Sequence, residues 1–413
     1  MLKVSPSPTT TIETEKPQFE AADIFRLYGN EYRQQYHVSQ EQRIVMRDIV
    51  QCRTAMLGGH IDKCDNCCGL RISYNSCSNR HCPKCGSLAR NMWLEKQKAH
   101  LLPVPYFHVV FTIDHIFNPL VRVNQRQVYT LLFRTVADTL KSFGQNYLHG
   151  EIGFISMLHI LRQAQDRLWG QTVTEHIHIH CIMTGGALSN NGKQWHSASS
   201  EFLFPIIPLS AQFKDAFCDG LQKLHNAGEL TFAGQSEYLA DNVAFQQMLA
   251  ESRAKKWQLY AKPPFGEAAQ TLDYLGRYVN RIAISNHRIL DVSDGRVKFS
   301  YHDYNDSKQK EMLLPAIEFM RRFLLHLLPK RFVRVRYYGF LSPRYRTKKL
   351  AQCRALLGKY HENSVIPASR ADILMEMLGH DPEQCPLCGV GKMRPFEKLD
   401  AHPTRRKWQL AVH

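Results

Sequence analysis

The chain has 413 residues, which is enough for two or three domains. A hydrophobic fraction of 44% with 22% charged residues is typical of a globular protein and excludes an intrinsically disordered one. The formal net charge of +16 predicts a polyanionic partner and favours nucleic acid over a membrane surface. No run of apolar residues approaches the ~18 that a membrane span needs.

The predicted elements mix helices and strands along the chain. The first twenty residues are rich in Ser, Thr and Pro, which predicts a disordered tail without a signal peptide and an intracellular protein. Periodicity predicts helices at 21–50, 88–102, 124–143, 267–282 and 315–328, strands at 105–113, 152–160 and 173–183, and a hairpin turning at 293–295. A polar loop is expected at 161–171, and Gly185 and Gly186 should end the strand before them. Adjacent strands with helices elsewhere favour an α+β fold and a largely antiparallel sheet.

Clustered cysteines predict a zinc-binding module near the N-terminus. Seven of the twelve cysteines fall between Cys52 and Cys85, in a chain without an export signal that would favour disulfides. Two Cys-x2-Cys pairs predict four thiolates on one tetrahedral Zn²⁺, a structural ion that folds a DNA-recognition module: Cys64, Cys67, Cys82 and Cys85. Four more residues are candidates for a second site: Cys52, His60, Cys77 and His81. The alternatives are incidental thiols, or a zinc module that binds protein.

A further Cys-x2-Cys pair lies near the C-terminus, at Cys385 and Cys388. Such a pair is half of a metal site. Cys353 and His402 are candidate partners, and the sequence also leaves open that the pair binds nothing.

Three histidines alternate with isoleucines in the sequence HIHIH. At the two-residue period of a strand, His176, His178 and His180 project from one face. Adjacent imidazoles on one face can hold a divalent cation and leave positions open for substrate oxygens. His159 from the neighbouring strand or Glu175 could complete the ligand set. The alternatives are a solvent-facing histidine strand or a structural zinc site.

Tyr274 and Tyr278 are four residues apart in DYLGRYVNRI, and Arg277 and Arg281 each follow a tyrosine by three. A helix places both phenols on one face, roughly 6 Å apart along the axis. On this spacing alone, two core aromatics are the simpler interpretation. In a basic protein with a histidine strand, the pair is a candidate for nucleophilic chemistry.

The combination resembles a known family. A His-U-His strand, where U is apolar, followed by Tyr-U-x-basic-Tyr-U-x-basic, resembles the HUH single-strand endonucleases. With an N-terminal zinc block, the order resembles the rolling-circle transposases of the insertion-sequence ninety-one type. The blocks that carry the resemblance cover most of residues 45–350: YNSCSNRHCPKCG, LLPVPYFHVVFT, HIHIHCIMTGG, YLGRYVNRIAISN and FLLHLLPKRFVRVRYYGFL. One departure is ILRQAQDRL, which intervenes between His159 and Trp169.

The resemblance implies a bacterial, cytoplasmic and nucleoid-associated enzyme with a sheet flanked by helices. His178 and His180, with His176 as a possible third ligand, would hold Mg²⁺ or Mn²⁺ on the scissile phosphate of single-stranded transposon ends. Tyr274 or Tyr278 would attack, leaving a 5′-phosphotyrosine and a free 3′-hydroxyl without any need for ATP. The implied division is a tail at 1–20, a zinc-binding domain at 21–100, an HUH domain at 103–310 and a basic region at 311–413.

The basic C-terminal region adds a candidate DNA surface. Residues 321–359 contain twelve Lys and Arg without Asp or Glu, interleaved with tyrosines that suit phosphates and stacked bases. The candidate DNA-binding cations are Arg277, Arg281, Arg334, Arg336, Lys348 and Lys349. A solvated basic face is the alternative for the region. For the whole chain, the alternatives are a rolling-circle replication initiator, an inactive zinc-dependent DNA-binding regulator, and a hydrolase that uses histidine-bound zinc.

Overall fold

A computed structural model describes residues 17–161, 175–199, 203–265, 276, 284–303, 308–325, 327–358 and 368–402. Its helices are α1 (Ala21–Gln35), α2 (Gln40–Gln51), α3 (Gly86–Lys98), α4 (Asn118–Val123), α5 (Gln125–Leu148), α6 (Ile206–Asn226), α7 (Asn242–Ala254), α8 (Ala316–Leu324), α9 (Arg346–Leu356) and α10 (Arg370–Leu378). Its strands are β1 (Gly59–Cys64), β2 (Leu70–Tyr74), β3 (Tyr106–Thr112), β4 (Gly150–Leu161), β5 (Glu175–Ser189), β6 (Trp195–Ser197), β7 (Leu259–Phe265), β8 (Ile289–Ser293), β9 (Arg296–Asp303), β10 (Lys308–Pro315), β11 (Val335–Tyr338) and β12 (Met393–Leu399).

The central sheet has the strand order β11-β4-β5-β3-β7, with β6 added along β5. Every pairing within it is antiparallel. The histidine strand β5 therefore lies inside the sheet, between β4 and β3. This arrangement confirms the predicted α+β class and antiparallel sheet.

Helices cover one face of this sheet. Ile177 and Ile179 of β5 are fully buried against aromatic side chains of α5 and α6, among them Phe133, Phe213 and Phe217. Because strand side chains alternate, the neighbouring histidines must point to the other face. The apolar half of the HIHIH pattern thus anchors the strand, and the polar half is left for chemistry.

A second core joins the N-terminal helices to the hairpin strands β8–β10 and to α8. Phe25 of α1 packs edge-to-face on Phe323 of α8, with ring centroids 5.2 Å apart. α2 lies within the predicted helical segment. At its N-terminus the Ser39 hydroxyl accepts the amide hydrogen of Gln42 in a capping box. The first two helices are therefore tied to residues almost 300 positions later in the chain.

A small third sheet has the order β12-β1-β2. Its edge strand β12 comes from the C-terminal end of the chain and pairs with β1 from Gly59↔Leu399 to Cys64↔Met393. β11, also C-terminal, is instead the edge of the central sheet. The two described strands that follow β10 are thus divided between the central sheet and the small third sheet.

Most predicted elements are confirmed, including the helices of 21–50 and the strand of 105–113. The hairpin turns at Asp294 and Gly295, whose φ angles of 49° and 71° are those of a tight two-residue turn. The loop at 161–171 and the helix at 267–282 fall outside the described residues, apart from Leu161, which ends β4, and Gly276.

The prediction that Gly185 and Gly186 end their strand is wrong, because β5 continues to Ser189. β6 supplies hydrogen-bond partners there, with Gly186 opposite Ser197. A Cβ at Gly186 would lie 2.5 Å from the Trp195 ring. These glycines allow close packing within the strand rather than ending it.

Within the described ranges, no helix combines the length and the apolar composition required to cross a membrane.

Candidate active site and metal centres

Three buried histidines meet on the face of the central sheet opposite the helical layer. His178 and His180 are two apart on β5, and His159 of β4 is the register partner of His178. One ring nitrogen of each lies within 4.8 Å of the others. The Nε2 atoms of His178 and His180 are 2.9 Å apart. Two adjacent ligands 2.0–2.1 Å from an octahedral ion are about 2.9 Å apart, so the spacing fits a small divalent cation.

Hydrogen bonds behind the histidines orient their rings. His178 Nδ1 lies 2.9 Å from the carbonyl oxygen of His176, so it donates there and turns its Nε2 lone pair into the group. His180 Nδ1 lies 2.7 Å from Nε2 of His108 on β3. Burial, followed by His159 and His178, holds the pKa of His180 well below its usual range. The neutral imidazole that results is the form that binds a metal ion.

His176 does not join this group of described residues, although it has the same strand parity. It lies beyond the last β3–β5 register pair, Thr112↔His178, where the strand leaves the sheet interior. There its Nδ1 is 3.3 Å from Nε2 of His115. His159, which the sequence offered as an alternative, occupies the third position instead. The side chain of Glu175 lies outside the described residues.

The predicted nucleophiles Tyr274 and Tyr278 lie outside the described residues, as do Arg277 and Arg281. Between them, Gly276 is described and is helical and buried. A Cβ at Gly276 would lie 2.7 Å from Cδ1 of Leu94, so its backbone packs directly on α3.

α3 in turn lies on the histidine side of the sheet. The indole Nε1 of Trp93 donates to the hydroxyl of Tyr337 on β11, 3.0 Å away. The register Tyr337↔Ile155↔Ile182 puts that tyrosine on the face of His180. Gly276 therefore packs on a helix that covers the same face as the histidines.

The cysteines form two separate groups. In the first, Cys52 immediately follows α2, Cys85 immediately precedes α3, and Cys77 and Cys82 lie between them. The Sγ atom of Cys85 is 3.4 Å from that of Cys52 and 3.7 Å from that of Cys77. Four sulfurs at 2.3 Å around a tetrahedral Zn²⁺ are about 3.8 Å apart, so this group has the dimensions of a zinc site. Hydrogen bonds from the thiols of Cys77 and Cys82 lower the pKa of Cys52 to about 7.

The second group unites Cys64 and Cys67 with Cys385 and Cys388. Two sulfur pairs, Cys64 with Cys388 and Cys67 with Cys385, are each 3.7 Å apart. The backbone amides of Gly391 and Val390 lower the pKa of Cys388 to about 6. The half-site near the C-terminus thus has Cys64 and Cys67 as partners, and not Cys353 or His402.

The prediction of one ion shared by Cys64, Cys67, Cys82 and Cys85 is therefore wrong. The hairpin β1–β2 separates the pairs, since six residues of strand span roughly 20 Å. Cys64 and Cys67 lie at the tip of the hairpin. At its base, Arg53 N donates to Asn75 O over 3.1 Å, which brings the chain after Cys52 back beside Cys77.

The other predicted zinc candidates have different partners. His60 lies 3.6 Å from the carboxylate of Asp62, and His81 Nε2 accepts from Arg80 Nε over 3.3 Å. Neither belongs to a metal-binding group of the described residues.

Two of the candidate DNA-binding arginines differ in the face they serve: Arg334 acts on the histidine site, whereas Arg336 is paired with Ser156 and lies on the helix-covered face. Arg334 donates from Nε to the carbonyl oxygen of Leu158, and its charge contributes to the lowered pKa of His180. The Arg336 guanidinium lies 4.1 Å from the ring centroid of Phe133. The charge of Arg334 thus acts on His180, whereas Arg336 packs against the helical layer on the opposite face of the sheet.

The candidate lysines lie at a separate surface. Lys349 forms an ion pair with Glu151, and Lys348 lines a cavity together with Tyr345 and Asn191. A cationic and aromatic lining of this kind suits a nucleic-acid backbone.

Sequence reasoning missed His108 altogether. Its signal is a lone polar residue in the otherwise apolar strand YFHVVFT. His108 is 2% exposed, and its bond to His180 gives it a positioning role at the site.

Comparison with known protein families gives a class of protein that agrees with this fold and these sites. A family model described as "Putative transposase" matches residues 153–349, which include the three histidines and Gly276. A second, described as "Transposase zinc-binding domain", matches residues 24–113, which include all four cysteines of the first group. The protein is a transposase with an N-terminal zinc-binding domain, and therefore a DNA-binding enzyme of strand cleavage and transfer.

More particularly, the chain belongs to the IS91 family of transposases. It is 45% identical over 388 residues to "Putative transposase y4qJ" of Sinorhizobium fredii (strain NBRC 101917 / NGR234), covering 92% of this chain and 96% of that protein. It is 26% identical over 347 residues to "Transposase for insertion sequence element IS801" of Pseudomonas savastanoi pv. phaseolicola, covering 83% and 80% respectively. No solved structure matches the chain significantly.

Proposed function

We propose that this transposase cleaves and rejoins single-stranded DNA at the ends of its element through a 5′-phosphotyrosine, as in rolling-circle transposition. The observation that carries the proposal is the position of Gly276. This residue separates Tyr274 from Tyr278 in sequence and packs on α3, the helix that covers the histidine face. A nucleophile-bearing segment and a cation site on one side of a sheet are the two components that the reaction requires.

His159, His178 and His180 are the proposed ligands of Mg²⁺ or Mn²⁺. Their support is the 2.9 Å separation of two Nε2 atoms and the lowered pKa of His180. A bound divalent ion would polarise the scissile phosphate and neutralise its developing charge. The chain itself supplies three buried imidazoles; the ring of His178 is oriented by the carbonyl oxygen of His176 and that of His180 by His108.

In the proposed reaction, the phenolic oxygen of Tyr274 or Tyr278 attacks the phosphorus. The phenol gives up its proton as its oxygen attacks, the bond between phosphorus and the 3′ oxygen breaks, and that oxygen leaves with the electron pair and takes up a proton. The new tyrosine–phosphate ester keeps the bond energy, so attack by another 3′-hydroxyl rejoins DNA without ATP. Two tyrosines allow one end to be held while a second strand is cut.

The cations Arg277, Arg281, Arg334, Arg336, Lys348 and Lys349 are proposed to contact the DNA backbone. Of these, Arg334 has the most direct support, because its charge already acts on His180. Phosphate contacts of this kind supply much of the affinity for nucleic acid and make it dependent on salt.

We assign the zinc of the N-terminal domain to Cys52, Cys77, Cys82 and Cys85. All four lie inside the matched zinc-binding region, and their sulfur spacing fits a tetrahedral ion. The ion would hold the end of α2 next to the start of α3, and the module would recognise the element's end sequence.

The test is formation of a covalent protein–DNA adduct on a labelled single strand that carries the element's own end. Wild type with Mn²⁺ should form the adduct, and Tyr274→Phe with Tyr278→Phe should form none while remaining folded and able to bind DNA. Phenylalanine keeps the ring and removes the nucleophilic oxygen, so packing is preserved. Each single variant should keep partial cleavage.

Tyr260→Phe is the matched control. Tyr260 is 54% exposed on β7, and the register Tyr260↔Val110↔His180 puts it on the histidine face. The control should retain full adduct formation. An adduct mapped to Tyr260 would overturn the assignment of the nucleophiles, and DNA binding without any adduct in wild type would favour a non-catalytic regulator.

A further inference from the structure

We propose that Cys64, Cys67, Cys385 and Cys388 form a second structural zinc site, built jointly by the two ends of the chain. The site goes beyond the proposed function, since no step of strand transfer uses it. It also goes beyond the zinc-binding family match, which ends at residue 113 and contains only the first two of the four cysteines.

The sulfur geometry fits a tetrahedral ion. Two pairs drawn from opposite ends of the chain, Cys64 with Cys388 and Cys67 with Cys385, are each 3.7 Å apart. That is close to the edge of about 3.8 Å expected for four thiolates 2.3 Å from Zn²⁺. It is far longer than the 2.05 Å of a disulfide. All four sulfurs lie within 4.8 Å of one another, so the set is complete without any further residue.

The two pairs share one local structure. Each is Cys-x2-Cys followed by a residue in the left-handed region, Cys68 with φ 59° in one and Gly389 with φ 66° in the other. This turn aims backbone amides at the sulfurs. The amides of Asn66 and Cys67 donate to Cys64 Sγ over 3.4 Å each.

On the C-terminal side, the amide of Gly391 donates to Cys388 Sγ, also over 3.4 Å. Amides that donate to thiolate sulfur orient and stabilise it as a metal ligand. The repeated turn also accounts for Cys68, which fills the left-handed position and remains exposed outside the ligand set.

The backbone packs closely around the four cysteines, but few apolar side chains are buried there. A Cβ at Gly391 would lie 2.5 Å from Cys64 Sγ, so only glycine fits there without displacement. Lys392 N donates to the carboxylate of Asp65 over 2.7 Å, and Asp65 N donates back to Lys392 O. Among the described residues, the buried apolar cluster at this point consists of Cys64, Cys385 and Met393, with Cys388 partly buried against them. So small a core gives little stability, and a bound metal supplies the missing free energy.

A zinc ion at this site would hold the two ends of the chain together. More than 300 residues separate the two cysteine pairs. β12, which pairs with β1, comes from the C-terminal end of the chain. With zinc bound, the tip of the β1–β2 hairpin is held to the C-terminal segment, and β12 is fixed as the third strand of that sheet. The N-terminal zinc-binding domain is therefore completed by residues from the C-terminus.

The experiment is metal analysis of the full-length protein after dialysis against a weak chelator. Wild type should hold two zinc ions per chain, one for each cysteine group. Cys64→Ser with Cys67→Ser should hold one, and Cys385→Ser with Cys388→Ser should also hold one. The quadruple variant should likewise hold one, because all four cysteines serve the same ion. Cys68→Ser, next to the site but outside it, should keep two.

Three results would overturn the proposal. Two ions retained by Cys385→Ser with Cys388→Ser would mean that the N-terminal pair needs no C-terminal partner. A quadruple variant with fewer ions than either double variant would mean that the pairs bind separately. A wild type with a single zinc would leave the second group without metal. As a second readout, Co²⁺ restored to wild type should give the thiolate charge-transfer absorption of two tetrahedral sites, and the double variants should give half of it whether or not cleavage activity survives.

Discussion

His108 should control how tightly the active site holds its divalent cation, although it is not a ligand. The perturbation is His108→Leu, which keeps an apolar side chain of similar size in the buried strand β3. It removes the nitrogen that lies 2.7 Å from Nδ1 of His180. His180 then loses the partner that fixes both its ring orientation and the position of its proton.

The magnitude follows from that bond. Loss of the partner behind a metal-bound histidine costs about 10–100-fold in metal affinity or activity. This corresponds to about 1.4–2.8 kcal/mol, since each factor of ten is ~1.4 kcal/mol. The range agrees with the ~1–3 kcal/mol cost of leaving a buried donor unsatisfied. His180 is 4% exposed, so water cannot easily replace the lost acceptor.

The assay is adduct formation titrated with Mn²⁺ at fixed DNA concentration. His108→Leu should raise the half-saturating Mn²⁺ concentration about 10–100-fold and retain most of the activity at saturation. His108→Gln, whose amide oxygen can accept from His180, should recover part of the affinity. Ser156→Ala is the control, since Ser156 is a buried polar residue of β4 that contacts Cys181 on the other face of the sheet.

The reasoning is refuted if His108→Leu leaves the Mn²⁺ titration unchanged. It is also refuted if Ser156→Ala shifts the titration as much, because the effect would then reflect general loss of packing in the sheet. A variant that loses activity equally at every Mn²⁺ concentration would show that His108 is structural only.

Three further predictions follow from the sites. His178→Ala should abolish adduct formation while DNA binding persists, and EDTA should do the same to wild type; cleavage that continues in EDTA would exclude the metal mechanism. Cys82→Ser and Cys64→Ser should each release one zinc ion, but from different sites, so the double variant should retain none. Loss of only one ion from the double variant would support a single site shared by both cysteines. Gly276→Val should reduce adduct formation by overpacking against Leu94, at ~1–3 kcal/mol, and Leu94→Ala should restore part of it; an unaffected rate in Gly276→Val would argue against this contact.

The sequence predicts the histidine strand well because its information is local. Alternation of His178 and His180 with isoleucines specifies a strand, a buried face and a chemical face at once. The pattern leaves the third ligand position open between His159 and His176, and the register of β4 against β5 places His159 beside His178. Register depends on strand pairing, which a single strand's pattern does not contain.

The predicted grouping of Cys64, Cys67, Cys82 and Cys85 around one ion is wrong for the same physical reason. Spacing favours joining the two N-terminal Cys-x2-Cys pairs, which lie close in sequence. The chain instead extends from Cys52 along β1, turns at Cys64 and Cys67, and returns along β2 to Cys77. Cysteines at the base of this hairpin are too far from its tip to share an ion with Cys64 and Cys67. The pairing of β12 with β1 brings Cys385 to the tip. Contacts of such long sequence separation leave no trace in local spacing.

The position of α3 argues that the zinc-binding domain has a role in cleavage in addition to the proposed recognition of DNA. Cys85 directly precedes the first residue of α3, so an ion at the first cysteine group fixes where this helix starts. Two turns later, Trp93 is hydrogen-bonded to Tyr337 of the central sheet, and Leu94 packs on Gly276. A rigid helix therefore runs from a metal ligand to the segment between the proposed nucleophiles. Removal of zinc should consequently disturb cleavage as well as DNA recognition, because both depend on where α3 lies.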